Sequence, residues 1–357
     1  MKSAQSSNWL DIPQDDLDYV LDRTLTCWES MRGGHLLITG GTGFVGKWLL
    51  GTFLHANRIL TLNAYVTVLS RNVESFQRAY PELMVAKEVR WINSDVRTFE
   101  LSGVPAVTHI VHAAADVVQL TSGPEIFETC VQGTQRVLKI AKDHASQRML
   151  MVSSGAVYGT KFASSGATRE DCMTAPDCMN ATSAYAEGKR AAELMCAFSN
   201  SDLEIEIPVA RCFAFVGPHL ALKKQFAIGN FIRSALLGEP IVISGDGTPL
   251  RSYLYSADMV VWLWTILCRG EGGRPYNVGG TQRISIRDLA SEVVQSIGSD
   301  VPIEVGQVPE TGVDVHAYVP DVTRVQSELG VSQGFDLRTS IARTAQWAMR
   351  SQSSCYL

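Results

Sequence analysis

The chain has 357 residues, 46% of them apolar and 19% charged, which suits one large globular α/β domain or a domain carrying a smaller lobe. Its formal net charge of −5 has both signs interspersed, so neither a nucleic-acid stripe nor a polybasic membrane segment is expected. Eight cysteines (Cys27, Cys130, Cys172, Cys178, Cys196, Cys212, Cys268 and Cys355) form no CxxC pair and have no histidine cluster beside them. With no run of about 18 apolar residues and no signal-peptide pattern, the expectation is a reduced, cytoplasmic, soluble protein without a metal site.

In chain order, residues 1–10 read as frayed. From Pro13 to Met31, Leu17, Val20, Leu21, Leu25 and Trp28 recur at helical spacing behind Asp15 and Asp16, so residues 1–34 form an extension with an amphipathic helix docked on the main fold. Gly33-Gly34 ends it. Strands are then expected at 35–39, 65–69, 89–93, 109–113, 148–153 and 205–213, and helices at 44–56, 72–80, 124–144, 183–199 and 226–237. This alternation predicts an α/β fold with a Rossmann-type, doubly wound parallel sheet over residues 35–213. After residue 214 the pattern loosens into Gly/Pro-rich turns around short elements. Residues 214–357 are therefore expected to form mainly a smaller α/β substrate lobe, interleaved with the last elements of the sheet.

The stretch LLITGGTGFVGKWLL sets Gly40, Gly43 and Gly46 between an apolar strand and an amphipathic helix. A dinucleotide needs that context: glycines for a tight turn, for approach of the pyrophosphate and for helix–strand packing, with free N–H groups at the helix start. At the end of the second strand an NAD site usually carries an acidic residue for the ribose diol. Here Ser70, Arg71 and Asn72 stand instead, a set that suits a 2′-phosphate, so NADP(H) is favoured, with NAD(H) as the alternative.

YAEGK places Tyr185 and Lys189 one helical turn apart on the same side. Together with TGGTGFVG at 39–46, SDV at 94–96, HAAA at 112–115, VSSGAVYG at 152–159, RCFAFVGP at 211–218, GDGTPLRSYLYSADMV at 245–260 and PDVTRVQSELGV at 320–331, it makes the chain resemble the extended short-chain dehydrogenase/reductases. The branch it is similar to holds the NAD(P)-dependent nucleotide-sugar epimerases, dehydratases and reductases. That resemblance implies a catalytic Ser154, Tyr185 and Lys189. Tyr185 would exchange a proton with a carbonyl or alcohol oxygen that Ser154 also bonds, and Lys189 would hold the nicotinamide ribose and lower the phenol's pKa. It further implies cofactor contacts from Thr42, Phe44 and Val45 in the glycine loop, Asp95 and Val96 at the adenine, Ala113, Ala114 and Ala115 along its middle, and Cys212 and Phe213 at the carboxamide. Arg251 would bind the substrate diphosphate.

Within that branch, enzymes resembling 4,6-dehydratases carry an Asp-Glu pair directly after the active-site hydroxyl, and those resembling 3,5-epimerases carry a cysteine two before the tyrosine of VYG. Here the stretch is Ser154-Gly155-Ala156-Val157-Tyr158, and neither Gly155 nor Ala156 can move a proton. What remains is hydride transfer at C4 of a nucleoside-diphosphate sugar, with reduction of a 4-keto-6-deoxy sugar expected first and 4-epimerisation second. Ala214, Ser252 and Cys130 stand where Asn, Asp and Asn are common. These departures keep open a reductase of a bulky non-nucleotide ketone, of the dihydroflavonol or hydroxysteroid kind. A cofactor-binding protein without turnover is the remaining class. A homodimer through the helices at 124–144 and 183–199 is also implied.

Overall fold

The computed structural model describes residues 10–115, 122–159, 167–202, 204–223, 226–308 and 315–350. The expectations for residues 1–9 and for Cys355 lie outside them. The chain runs α1 (Gln14–Thr24), β1 (His35–Thr39), α2 (Phe44–Ile59), β2 (Tyr65–Ser70), α3 (Val73–Ala79), β3 (Val89–Asn93), β4 (His109–His112), α4 (Gly123–Asp143), β5 (Arg148–Ser154), α5 (Ala184–Asp202) and β6 (Val209–Cys212). There follow β7 (Phe215–Val216), α6 (Ala227–Leu237), β8 (Ile241–Ile243), β9 (Leu250–Arg251), β10 (Leu254–Tyr255), α7 (Ser256–Arg269), β11 (Pro275–Val278), β12 (Ile284–Ser285), α8 (Ile286–Ile297), β13 (Ile303–Val305), β14 (Ala317–Tyr318), α9 (Thr323–Leu329) and α10 (Leu337–Arg350).

Seven strands form one parallel sheet in the order β11-β6-β5-β4-β1-β2-β3. The order reverses between β1 and β4, and the carboxyl ends of those strands open the crevice where this topology receives a ligand. Both faces are covered. Leu36, Ile38, Val66 and Val68 pack with α2 and α7 on one side, and Leu37, Ile110, Met149 and Met151 pack with Val137, Ala192 and Cys196 of α4 and α5 on the other. A separate apolar cluster around Phe231, Ile232, Leu289, Ile341 and Trp347 holds α6, α8 and α10 together.

Two boundaries differ most from the sequence reading. The strand expected at 205–213 pairs continuously only from Val209, because Pro208 has no N–H to give to a ladder. The helix expected through Met31 ends at Thr24, whose hydroxyl bonds the Val20 carbonyl at 2.6 Å and accepts the Trp28 indole N–H at 3.0 Å. Such back-bonding competes with regular helix, and the chain continues as two tight 3₁₀ turns. The extension packs closely. Leu10, Ile12, Leu17, Val20 and Trp28 are buried, and α1 lies against α2 and α7. Its fully buried Asp16 accepts the Tyr255 hydroxyl at 2.7 Å and an Arg343 N–H at 2.7 Å, so α1 also binds α10.

Candidate active site

At the end of β1 the chain turns through Gly40 at φ +71°, where a Cβ would stand 2.9 Å from the Ala113 carbonyl oxygen and from the Ala114 Cα. A Cβ on Gly46 would collide with Gly40 O and the Gly41 backbone, so α2 can sit this close to β1 only with glycine there. Gly43 stands at the N-cap position of α2 and has no side chain to cap it, which leaves Phe44 and Val45 in the first turn with N–H groups that no helix carbonyl takes. The residues present fit a dinucleotide pyrophosphate: a glycine turn, a close backbone and an uncapped helix start. The Thr42 hydroxyl lies 2.7 Å from that of Ser70, which ties the glycine loop to the end of β2.

Ser70 is buried and also accepts the Asn72 N–H, while the Asn72 side chain accepts the Ser75 N–H and caps α3. Of the three residues expected at the ribose, Asn72 is exposed and so is Arg71. Its charge joins Arg97 in holding the Asp95 carboxyl below the usual carboxylate range, Arg97 contributing first through a two-pronged contact at 2.9 Å on each oxygen. The Val96 side chain is buried against Gly133 of α4. After β4, the Ala114 N–H donates to the Thr39 hydroxyl at 3.1 Å, and Ala113 and Ala115 flank it at the switch point.

Thr39 also meets His112 Nδ1 at 2.8 Å, and His112 Nε2 meets the Thr134 hydroxyl at 3.0 Å. Since Thr134 donates to the Cys130 carbonyl, it must accept from Nε2–H, which leaves Nδ1 to accept from Thr39. Burial pushes His112 down to about 3, with the Lys189 charge adding to it, so this imidazole is a neutral brace for the Ala113–Ala115 turn.

The three residues expected to be catalytic lie on β5 and α5. Ser154 ends β5, and its hydroxyl accepts the Ala156 N–H at 3.1 Å and hydrogen-bonds Tyr185. The Tyr185 hydroxyl lies among Ser154, Tyr318, Cys130 and Cys212, and burial raises it above the ordinary phenol value against the opposing pull of Ser154. Lys189, expected to lower the phenol, is itself buried and donates to the Val152 carbonyl at 2.7 Å, and desolvation outweighs every lowering influence on Tyr185.

Cys212 ends β6 in register with Ser154, and Phe213 follows it. The Cys212 thiol is pushed up to about 12 by burial and stays protonated. Arg251 leaves β9 half-buried, donating to the Leu250 carbonyl at 2.8 Å and facing His316 Nδ1 at 3.2 Å. Its guanidinium lies 5.9 Å from the centre of the Tyr318 ring.

Tyr318 is a site residue that the sequence reading missed. Its phenol hydrogen-bonds Ser154 and is pushed up to about 12, chiefly by burial, and its ring stands 4.6 Å from that of Phe213. A Cβ on Gly155 would come within 2.7 Å of the Tyr318 hydroxyl and 2.8 Å of Phe213 Cζ. The glycine therefore makes room for a tyrosine from β14. Also missed is the support behind Ser154: Ser153 donates to Glu193 at 2.5 Å, Glu193 pairs with Arg211 at 2.7 Å, Arg211 donates to the Tyr158 hydroxyl at 3.0 Å, and Tyr158 donates to Asn277 at 2.8 Å. The only sequence signal for either was the unexplained polar residues in otherwise apolar strands. Among the described residues no group of three His, Cys, Asp or Glu side chains could hold a metal, and no helix is long and apolar enough to cross a membrane.

Residues 36–279 match the sequence profile of the NAD dependent epimerase/dehydratase family. UDP-glucuronic acid decarboxylase 2 of Arabidopsis thaliana is 28% identical over 312 residues, which cover 87% of this chain and 67% of that protein. Among solved structures, DesIV, a dTDP-glucose 4,6-dehydratase of Streptomyces venezuelae with NAD bound, is 25% identical with a TM-score of 0.74, covering 88% of this chain and 97% of DesIV. MoeE5 in complex with UDP-glucuronic acid and NAD is 27% identical with a TM-score of 0.72, covering 89% and 100%.

Proposed function

The chain belongs to the NAD-dependent epimerase/dehydratase family, an enzyme acting on nucleotide sugars, and from that premise we propose that it transfers a hydride at C4 of a nucleoside-diphosphate sugar, with reduction of a 4-keto-6-deoxy sugar as the net reaction. One observation carries this reading. Ser154 and Tyr185 are hydrogen-bonded and ready to serve one oxygen, whereas Gly155 and Ala156 offer no acid or base for a neighbouring carbon. Tyr185 donates the proton to the carbonyl oxygen, Ser154 orients that oxygen, and Arg251 meets the diphosphate. When bound, the nicotinamide dinucleotide supplies the hydride. Phe213 and Tyr318 crowd the space around Gly155 beside Ser154, which supports one fixed pose of the sugar, as a reductase needs. Epimerisation at C4, which needs the sugar to turn over, is the second reading.

The experiment uses a 4-keto-6-deoxy nucleotide sugar, a 4-hydroxy nucleotide sugar and a nucleotide uronic acid, and counts oxidised cofactor and carbon dioxide per product. One cofactor oxidised per ketone reduced is the expected result. Product without net cofactor consumption moves the assignment to epimerisation, and carbon dioxide release moves it to decarboxylation, in which oxidation at C4 lets the C5 carboxylate leave and the resulting enolate is protonated at C5. Turnover of none of the three sinks the substrate class.

The cofactor reading retains NADP(H), supported by the exposed Arg71 at the end of β2 and by the lack of an acidic residue there. The expected result of titrating NADPH and NADH by fluorescence quenching is tighter NADPH binding, and Arg71→Asp is expected to reverse the order. Equal affinities in the unaltered protein would refute it.

Assembly as a homodimer is supported by the outer face of the packed pair α4 and α5. Val137, Leu138, Ile140 and Ala192 point into the core, while Phe127, Leu194 and Phe198 are 40%, 56% and 57% exposed. Light scattering at micromolar concentration is expected to give twice the chain mass, and Leu194→Glu with Phe198→Glu to give the monomer. A monomer before substitution would overturn it.

A further inference from the structure

The chain carries a pair of thiols that no step of the proposed reaction uses. Cys27 sits in the 3₁₀ turn that follows α1, and Cys268 in the last turn of α7. Although far apart in sequence, they meet: the Cys268 thiol lies 3.4 Å from the Cys27 carbonyl oxygen, and the two thiols hydrogen-bond each other. The segment around them is held in place. Trp28 packs on Trp264 with ring centres 4.9 Å apart, and the Ser30 hydroxyl donates to the same Cys27 carbonyl.

The two sulfurs differ chemically. Cys27 is almost wholly buried, and its thiol is held below the ordinary value, first by the hydrogen bond from Cys268 and, after the opposing effect of burial, by the charge of Arg269. Cys268 is half-buried and is raised by the same bond and by burial. The other buried thiols lack such a partner: burial raises Cys130, and lifts Cys196 and Cys212 to about 12, which leaves them poor nucleophiles.

We propose that Cys27 and Cys268 form a dithiol site that a small disulfide oxidises to an intramolecular bond, fastening the N-terminal extension to the core helix α7. The chemistry balances as ordinary thiol–disulfide exchange. Cys268, the more accessible of the two, gives its proton to the Cys27 thiolate along their hydrogen bond, attacks the reagent disulfide and expels one reagent thiolate, which then takes the proton from Cys27. The Cys27 thiolate then attacks the protein-bound sulfur and expels the second. Two protein thiols are oxidised by two electrons, the reagent disulfide is reduced to two thiols, and the two cysteine protons, one of them by way of water, pass to the two leaving thiolates. The closed loop spans most of the chain, which is where a cross-link most restricts the unfolded state.

The test treats the full chain with glutathione disulfide, then maps peptides without reduction and records the melting midpoint. A peptide joining Cys27 to Cys268, a mass lower by two hydrogens, and a midpoint higher by several degrees that reverts with dithiothreitol are expected. Cys27→Ser and Cys268→Ser should each lose both the joined peptide and the upward shift. Either variant suffices should the other fold poorly, and the peptide map of the unaltered chain needs neither. Absence of the joined peptide once the exposed Cys178 has fully reacted, or the same upward shift in a serine variant, overturns the proposal.

Discussion

Tyr185→Phe is expected to lower turnover by roughly 10²-fold or more, the scale of losing a positioned proton donor, while leaving cofactor affinity unchanged. The phenol is the one group hydrogen-bonded to Ser154 from the helix side, and removing its oxygen leaves the ring packing as it was. Lys189→Met should behave differently. Its ammonium is buried and bonded to the Val152 carbonyl on β5, the strand that ends in Ser154. Loss of that bond frees a buried carbonyl and removes a buried cation from the helix that carries Tyr185, so both turnover and cofactor affinity should fall. Steady-state kinetics with fluorescence titration of NADPH separates the two. If Tyr185→Phe turned over at the unaltered rate, the trio would have no part in the chemistry. The raised phenol bears on this too: at neutral pH Tyr185 holds its proton, the form that a carbonyl reduction needs.

Much of this arrangement was legible in the sequence, for an identifiable reason. Gly40 and Gly46 answer to backbone demands, a positive φ and a helix almost touching a strand, and such demands leave only one residue type to read. The strand and helix alternation was readable because a parallel sheet buried on both faces is written as apolar runs. Helix α7 was not readable. Its stretch SADMVVWLWTILCR is apolar all round, because it lies between the sheet and α1, and an all-round apolar helix has no stripe to betray its period. Tyr318 and the series Ser153–Glu193–Arg211–Tyr158–Asn277 were hidden for another reason. Each link joins segments far apart in the chain, and no local spacing records which distant polar groups will meet behind a strand. Lys189 shows what a motif leaves out: its ammonium donates to the Val152 carbonyl, and burial is the largest influence on the Tyr185 phenol.

The missed tyrosine gives the second large effect. Gly155→Ala is expected to cost about 1–3 kcal/mol of stability as overpacking and to lower turnover by roughly 10²-fold, the cost of a misplacement near 1 Å in a catalytic group. The added methyl would stand 2.7 Å from the Tyr318 hydroxyl, 2.8 Å from Phe213 Cζ and 2.9 Å from Phe213 Cε1. Neither neighbour has an open retreat, since the two rings stack on each other and Phe213 also faces Tyr158 at 6.2 Å. The strain is therefore passed to the turn that carries Ser154, or Tyr318 is pushed off the Ser154 hydroxyl. Tyr318→Phe removes the closest of these contacts without emptying the pocket. The double variant Gly155→Ala with Tyr318→Phe should accordingly lose less than the two single losses added together, a coupling expected only for residues in contact. Phe213 still crowds the methyl, so recovery should be partial. Turnover and melting midpoints of the four proteins close this cycle. Strictly additive losses would mean that Tyr318 and Gly155 do not share the space beside Ser154. The same geometry implies that an acidic side chain at residue 155 has no room while Tyr318 stands, so Gly155→Asp alone should yield no elimination product.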